Sequence, residues 1–164
     1  MTPALLSPLR LRELELPNRI VVSPMCQYSA VDGCATDWHL VHLGQYAVSG
    51  AGLVILEATH VERRGRITHG CLGLYSDENE AALVRVVDFF RRHGHARLGI
   101  QISHSGRKGS ARRPWEGRGE ALTAGEDAWG TVSASDLPFD EGWPQPAVLD
   151  ADGRYLGKYR KMHI

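Results

Sequence analysis

No stretch of this chain stays apolar for the roughly 18 residues that a membrane-crossing helix requires; its apolar runs are short and broken by charge. Cysteine is scarce. Cys26, Cys34 and Cys71 form no CxxC pair, which argues against a disulfide framework and suits a reducing compartment. The start, MTPALLSPLRLREL, has no apolar core behind a basic head, so no signal peptide is expected and the expected location is cytoplasmic. Net charge is absent too, with 19 basic against 19 acidic residues. No overall field then recruits nucleic acid or an acidic membrane, and neither is expected as a partner. The balance is uneven along the chain: Arg154, Lys158, Arg160 and Lys161 fall in the last eleven residues, where there is no acid.

What is present begins with Ile20–Tyr28, IVVSPMCQY. A β-branched apolar run stopping at Pro24 reads as a buried strand, followed by small, soft and hydrogen-bonding groups. Before it, Leu9, Leu11, Leu14 and Leu16 nearly alternate with charged residues, which predicts a short hairpin. After it, Thr36 and Asp37 open a helix with Leu40, Leu43 and Ala47 on one stripe. Leu53–Ala58 is a second strand. Ser76 caps a helix with acids in its first turn and Arg91, Arg92 and His93 in its last, its apolar face formed by Leu83, Val86, Val87 and Phe90. Arg97–Ser103 is a third strand, ending in Gln101, Ser103 and His104. Strand, helix, strand, helix, strand means two βα units and a parallel sheet, in which chemistry collects at the carboxyl ends of the strands.

From His104 to Val148 the periodicity lapses. Trp115, Trp129, Phe139 and Trp143 weigh against disorder there, and the segment is expected to run over the carboxyl edge of the sheet. The stretch from Ala147 onward predicts a hairpin turning at Asp150–Gly153.

Several local signals carry little alone. Gly50-Ala51-Gly52 precedes a strand and lacks a third glycine, so it fails the context of a dinucleotide fingerprint. His39 and His42 are three apart with no third ligand in reach, and no metal is expected. The clusters Arg63, Arg64, Arg66 and Arg107, Lys108, Arg112, Arg113 read first as solvated loop faces, with a phosphate-bearing ligand as the other reading. Cys26 has no neighbouring base that would make it a nucleophile, which leaves a weak thiol donor or a plain buried cysteine.

Taken together, SPMCQYSAVDGCATDWHLVHLGQYAVSGAGLVILEATHV, GRITHGCLGLYSDE, GIQISHSGRK and PFDEGWPQP closely resemble the old yellow enzyme family, specifically its YqjM- and xenobiotic-reductase-like branch with cysteine after SPM. The resemblance covers about residues 5–153. It implies a TIM (β/α)8 barrel closed at the bottom by an N-terminal hairpin, with FMN at the carboxyl end of the strands and NAD(P)H as hydride source. The implied substrate is an α,β-unsaturated carbonyl compound, an enone or enal. By position, Ser23, Pro24, Met25, Cys26, Ala58 and Gln101 would contact the flavin. Cys26 would also tune the flavin's potential, and Tyr28 would line the substrate pocket, which makes Cys26 and Tyr28 the catalytic candidates.

Two departures from the family pattern shape the remaining expectations. No HxxH or HxxN motif follows Ser103, and only the hairpin and three strands of eight are legible, so an incomplete barrel is expected, with possible self-association through its unclosed edge. The end, RYLGKYRKMHI, resembles the nitrilase (carbon–nitrogen hydrolase) family, with Lys161 at that family's catalytic-lysine position but no glutamate or cysteine partner. The expected organisation is therefore residues 1–153 as the N-terminal part of an FMN-binding barrel and 154–164 as a basic tail of different origin. The expected function is a truncated fragment of an ene reductase. The alternatives are an inactive or chimeric product and, further off, a nitrilase-type amidohydrolase fragment.

Overall fold

Both long helices lie on the same face of one parallel sheet. The computed structural model describes residues 3–117 and 119–149 and the backbone of 155–156. Strand β1 (Leu9–Leu11) pairs antiparallel with β2 (Leu14–Leu16), and Leu16 is buried beneath them. Strand β3 (Val21–Val22) pairs in parallel with the start of β4 (Leu53–His60), whose far end takes up β5 (Leu72–Gly73) on the same edge. The opposite edge of β4 is filled along its whole length by β6 (Arg97–Ser103), also parallel. Strands β3, β4 and β6 therefore stand in chain order.

Between them run helices α1 (Asp37–Ala47) and α2 (Asp77–His93). Leu43 and Ala47 from α1 and Leu83, Val86 and Phe90 from α2 share one core with Val54 and Leu56 of β4. Successive parallel strands with all helices on one side describe the β/α arrangement of a barrel; a doubly wound sheet would place helices on both sides. α2 follows from its sequence: the Ser76 hydroxyl accepts from the Asn79 N–H, three acids sit in the first turn, and Gly94 ends the helix with its N–H on the Phe90 carbonyl.

Beyond β6 the chain is more structured than its periodicity indicates. It forms a short helix α3 (Pro114–Gly117), then β7 (Val132–Ser133) pairing in parallel with β8 (Ala147–Leu149), and β9 (Tyr155–Leu156) antiparallel to β8. This corrects the expectation of a hairpin and three strands only: nine strands and three α-helices occur among the described residues. The reason is physical. β5 and β7, of two residues each, bury too few side chains for alternation to register. The 104–149 segment is tied down over the sheet: the Trp129 indole N–H donates to the Arg64 carbonyl at 2.9 Å, the Arg66 guanidinium lies 5.3 Å from the Trp129 ring, and Arg112 grips Glu126 at 2.8 and 2.9 Å. That grip, with help from Thr123, holds the Glu126 carboxyl down to about 2. The tail of residues 154–164, with Lys161, lies outside the described residues apart from the β9 backbone. On β6, Ile100 and Ile102 remain exposed.

Candidate functional site

The carboxyl ends of β3, β4 and β6 bring most of the sequence-predicted residues into one line. Ser23, Pro24, Met25 and Cys26 leave β3 directly, and Ser23 and Met25 are exposed. The Ala58 main chain acts on the Cys26 thiol and holds it lower than burial alone would, and Ala58 pairs in register with Gln101. Cys26, Ala58 and Gln101 thus span three adjacent strand ends, with Gln101 open to solvent. Burial, then the neighbouring Cys71 and Glu57, pushes the Cys26 thiol up to about 11. Near neutral pH the group is S–H, a weak donor and a poor nucleophile.

Tyr28 stands two residues further on, with φ of 53°, in the left-handed region that non-glycine residues seldom occupy. Its ring meets Trp115 of α3 edge to face, centroids 5.7 Å apart, and Trp115 is 65% exposed. Burial first, and then Cys26, Cys71 and Glu57, raises the Tyr28 phenol above its ordinary value, so it keeps its proton. Sequence reasoning missed Trp115. Pro114 at the first position of a helix was a usable signal, but not for what the helix touches.

Beneath this line lies a buried polar cluster that sequence reasoning also missed. The register of β4 against β6 shifts at Glu57, which is the extra residue of a β-bulge. Its carboxylate is 4% exposed and lies 3.3 Å from Nε2 of His39, itself 1% exposed. The other carboxylate oxygen accepts the main-chain N–H of Gln27. A charged residue inside LVILEA was the available sign, since buried carboxylates seldom lack partners.

His60 ends β4, fully buried. Its Nδ1 lies 2.9 Å from the Leu72 carbonyl and therefore carries the proton, while Nε2 has no partner among the described residues. Burial lowers the pKa of His60 below the ordinary 6.5. The folded state then binds fewer protons here than the unfolded chain, so stability is full above pH 6.5 and declines as pH falls below it. Urea melts at pH 7 and pH 5 should show this loss, and His60→Asn, which keeps an N–H for Leu72, should flatten it. No group of three or more His, Cys, Asp or Glu side chains among the described residues could hold a metal ion. No helix there is long and apolar enough to cross a membrane.

Parallel strands, helices on one face and ligand-type groups at the carboxyl edge define a (β/α)-barrel architecture with a strand-end site. Residues 4–135 match the NADH:flavin oxidoreductase / NADH oxidase family, and the chain belongs to that family. It is 51% identical over 147 residues to an NADPH dehydrogenase of Listeria welshimeri and 45% identical over 147 residues to one of Listeria monocytogenes, each match covering 88% of this chain and 38% of the relative. Among solved structures, morphinone reductase aligns with TM-score 0.73 and 27% identity over 92% of this chain and 41% of that one. A second morphinone reductase structure, in complex with tetrahydroNAD, aligns over 99% of this chain with TM-score 0.68. The chain spans about 38% of the length of these curated relatives.

The likeness running through nearly the whole chain corrects two further expectations. The resemblance is not confined to one part followed by a foreign piece, and the nitrilase-like reading of the end finds no support. The readings as a truncated, inert or chimeric fragment, or as a nitrilase-type one, lose their ground with it. The nitrilase-like reading rested on the eleven residues 154–164, too few to outweigh a match over 147, and the truncated reading on a motif and strands that spacing alone did not reveal.

Proposed function

We propose that this chain supplies a flavin-binding strand edge of an FMN-dependent NAD(P)H oxidoreductase that reduces the activated double bond of α,β-unsaturated carbonyl compounds. The observation that carries the reading is the alignment of Cys26, Ala58 and Gln101 across three adjacent strand ends. The donor set fits a flavin ring. Gln101 offers a donor and an acceptor to a pyrimidine-type edge, Cys26 offers S–H, and Ala58, with no side chain beyond Cβ, leaves space for a flat ring. Ser23, Pro24 and Met25 add main-chain groups and apolar surface.

Bound FMN would accept a hydride from NAD(P)H and deliver one to the substrate's β-carbon. The chain's residues bind and orient. Cys26 stays protonated and contributes a neutral donor, so no thiolate repels electron density at the ring edge. Tyr28 keeps its phenolic proton and can donate to a carbonyl oxygen, and Trp115 beside it walls the same space with an apolar face. The test is anaerobic: the chain incubated with FMN, freed of excess, then mixed with NADPH and afterwards with 2-cyclohexenone. Loss of the flavin's visible absorbance on the first addition and its return on the second are expected. Absence of retained flavin, or flavin that NADPH leaves unreduced, overturns the reading.

A further inference from the structure

We infer that Glu57 is a positioning residue for Cys26 and Tyr28, acting through the main-chain N–H of Gln27, and that His39 holds it in the form that this requires. The inference rests on the flavin reading only for its consequence at the ligand; the positioning itself is a property of the chain.

The hydrogen bonds within the cluster run in one direction only. The Thr36 main-chain N–H lies 2.9 Å from His39 Nδ1, and a backbone N–H can only donate, so Nδ1 bears no proton. The proton of a neutral imidazole is then on Nε2, aimed at Glu57 Oε1 at 3.3 Å. The second Glu57 oxygen takes the Gln27 N–H. Residue 57 therefore accepts on both oxygens, an arrangement that suits a carboxylate and that a carboxamide, with one donor end, cannot reproduce. His39 fills the third helical position, where a capping box ordinarily has Glu or Gln reaching back to the N-cap N–H; here an imidazole does so and passes the constraint on.

Gln27 is the residue on which this converges. Its carboxamide NH2 donates to the Met25 carbonyl at 2.7 Å, its carboxamide oxygen accepts the Trp38 indole N–H at 3.1 Å, and its carbonyl accepts the Ser29 hydroxyl at 2.9 Å. Its main-chain N–H on Glu57 completes the set. The residue between Cys26 and Tyr28 is thus fixed at every polar atom, and both neighbours take their places from it. The bulge at Glu57 aims the carboxylate into this cluster, and bulges recur beside active sites for such re-aiming. Ser23, Gln27, His39, His42, Tyr46 and Glu57 line a small cavity of about 10 Å³ there, so the site has little room to relax.

Glu57→Gln changes few atoms but reverses one donor. The carboxamide nitrogen must face either the Gln27 N–H or His39 Nε2–H, donor against donor. His39 cannot yield by switching tautomer, because Thr36 would then oppose it. Moving the carboxylate to the other side restores the polarity: in His39→Glu/Glu57→Gln the acid sits at the capping-box position, accepts from Thr36 and accepts from the carboxamide at 57.

The full chain, its Glu57→Gln and His39→Glu variants and the double variant are treated with iodoacetamide. Alkylation of Cys26 is followed by peptide mass spectrometry, and FMN affinity by fluorescence titration. Each single variant should alkylate Cys26 at least tenfold faster and bind FMN about tenfold more weakly, and the double variant should return to within about threefold on both. If a single variant does not fold, recovery of folded protein with wild-type Cys26 reactivity in the double variant supports the proposal, and failure to recover overturns it. Unchanged Cys26 reactivity in a folded Glu57→Gln also overturns it, whatever its melting temperature. Should the unaltered chain bind no FMN, the flavin reading fails while the alkylation series still decides the positioning role.

Discussion

Gly70→Ala should lower the melting temperature by roughly 6–12 °C, equivalent to about 3 kcal/mol for a domain of this size. A Cβ built at Gly70 falls 2.1 Å from the Tyr28 carbonyl oxygen and 2.5 Å from its carbon. Those atoms are backbone, so no rotamer change relieves the overlap. Neither side can retreat freely: Gly70 O accepts the Ala30 N–H at 2.9 Å, and Tyr28 already occupies the left-handed region at φ 53°. The cost also falls on the site, since Tyr28 must move and its edge-to-face contact with Trp115 must open. Gly50→Ala is the control. It has φ of 85° but nothing within 4 Å, so only the conformational cost of about 1 kcal/mol remains. Thermal melts of both variants, with Trp fluorescence of the first, check this; equal losses would refute the steric account.

Phe90→Ala should cost about 3–5 kcal/mol, the usual range for emptying a large buried aromatic site. Phe90 is 5% exposed and packs among Leu56, Leu83 and Val86 where α2 meets the sheet. A domain holds only about 5–15 kcal/mol in total, so a substantial fraction of the variant should be unfolded at 37 °C. A urea melt with a reduced midpoint and unchanged slope is the expected result. Val84→Ala on the same helix, where Val84 is 45% exposed, should shift the midpoint little.

The parts legible in the sequence are those whose side chains repeat. The Leu83, Val86, Phe90 stripe, the Ser76 cap and Gly94 stop placed α2, and apolar runs placed β4 and β6, because long elements bury enough residues to leave a period. β5, β7 and α3 were not legible, since two to four residues leave none and their form depends on what the sheet offers them. Cys26, Ala58 and Gln101 were legible as residues at strand ends, while their role at a flavin is what the family resemblance implies. Glu57, His39 and Trp115 could not. One is aimed by a bulge, one acts as a cap acceptor although its spacing from His42 resembles a ligand pair, and one meets Tyr28 across 87 residues of chain. Hydrogen-bond direction and long-range contact have no signature in spacing.

The central claim is that the ends of β3, β4 and β6 form a flavin-binding edge, and the most direct test is a fluorescence titration of FMN with the full chain and with Gln101→Ala. Loss of one ligand hydrogen bond of about 1.4 kcal/mol weakens binding tenfold. Saturable binding by the unaltered chain and at least a tenfold higher Kd for Gln101→Ala are expected, with both proteins melting at similar temperatures. No saturable binding, or the same Kd for both, would contradict it.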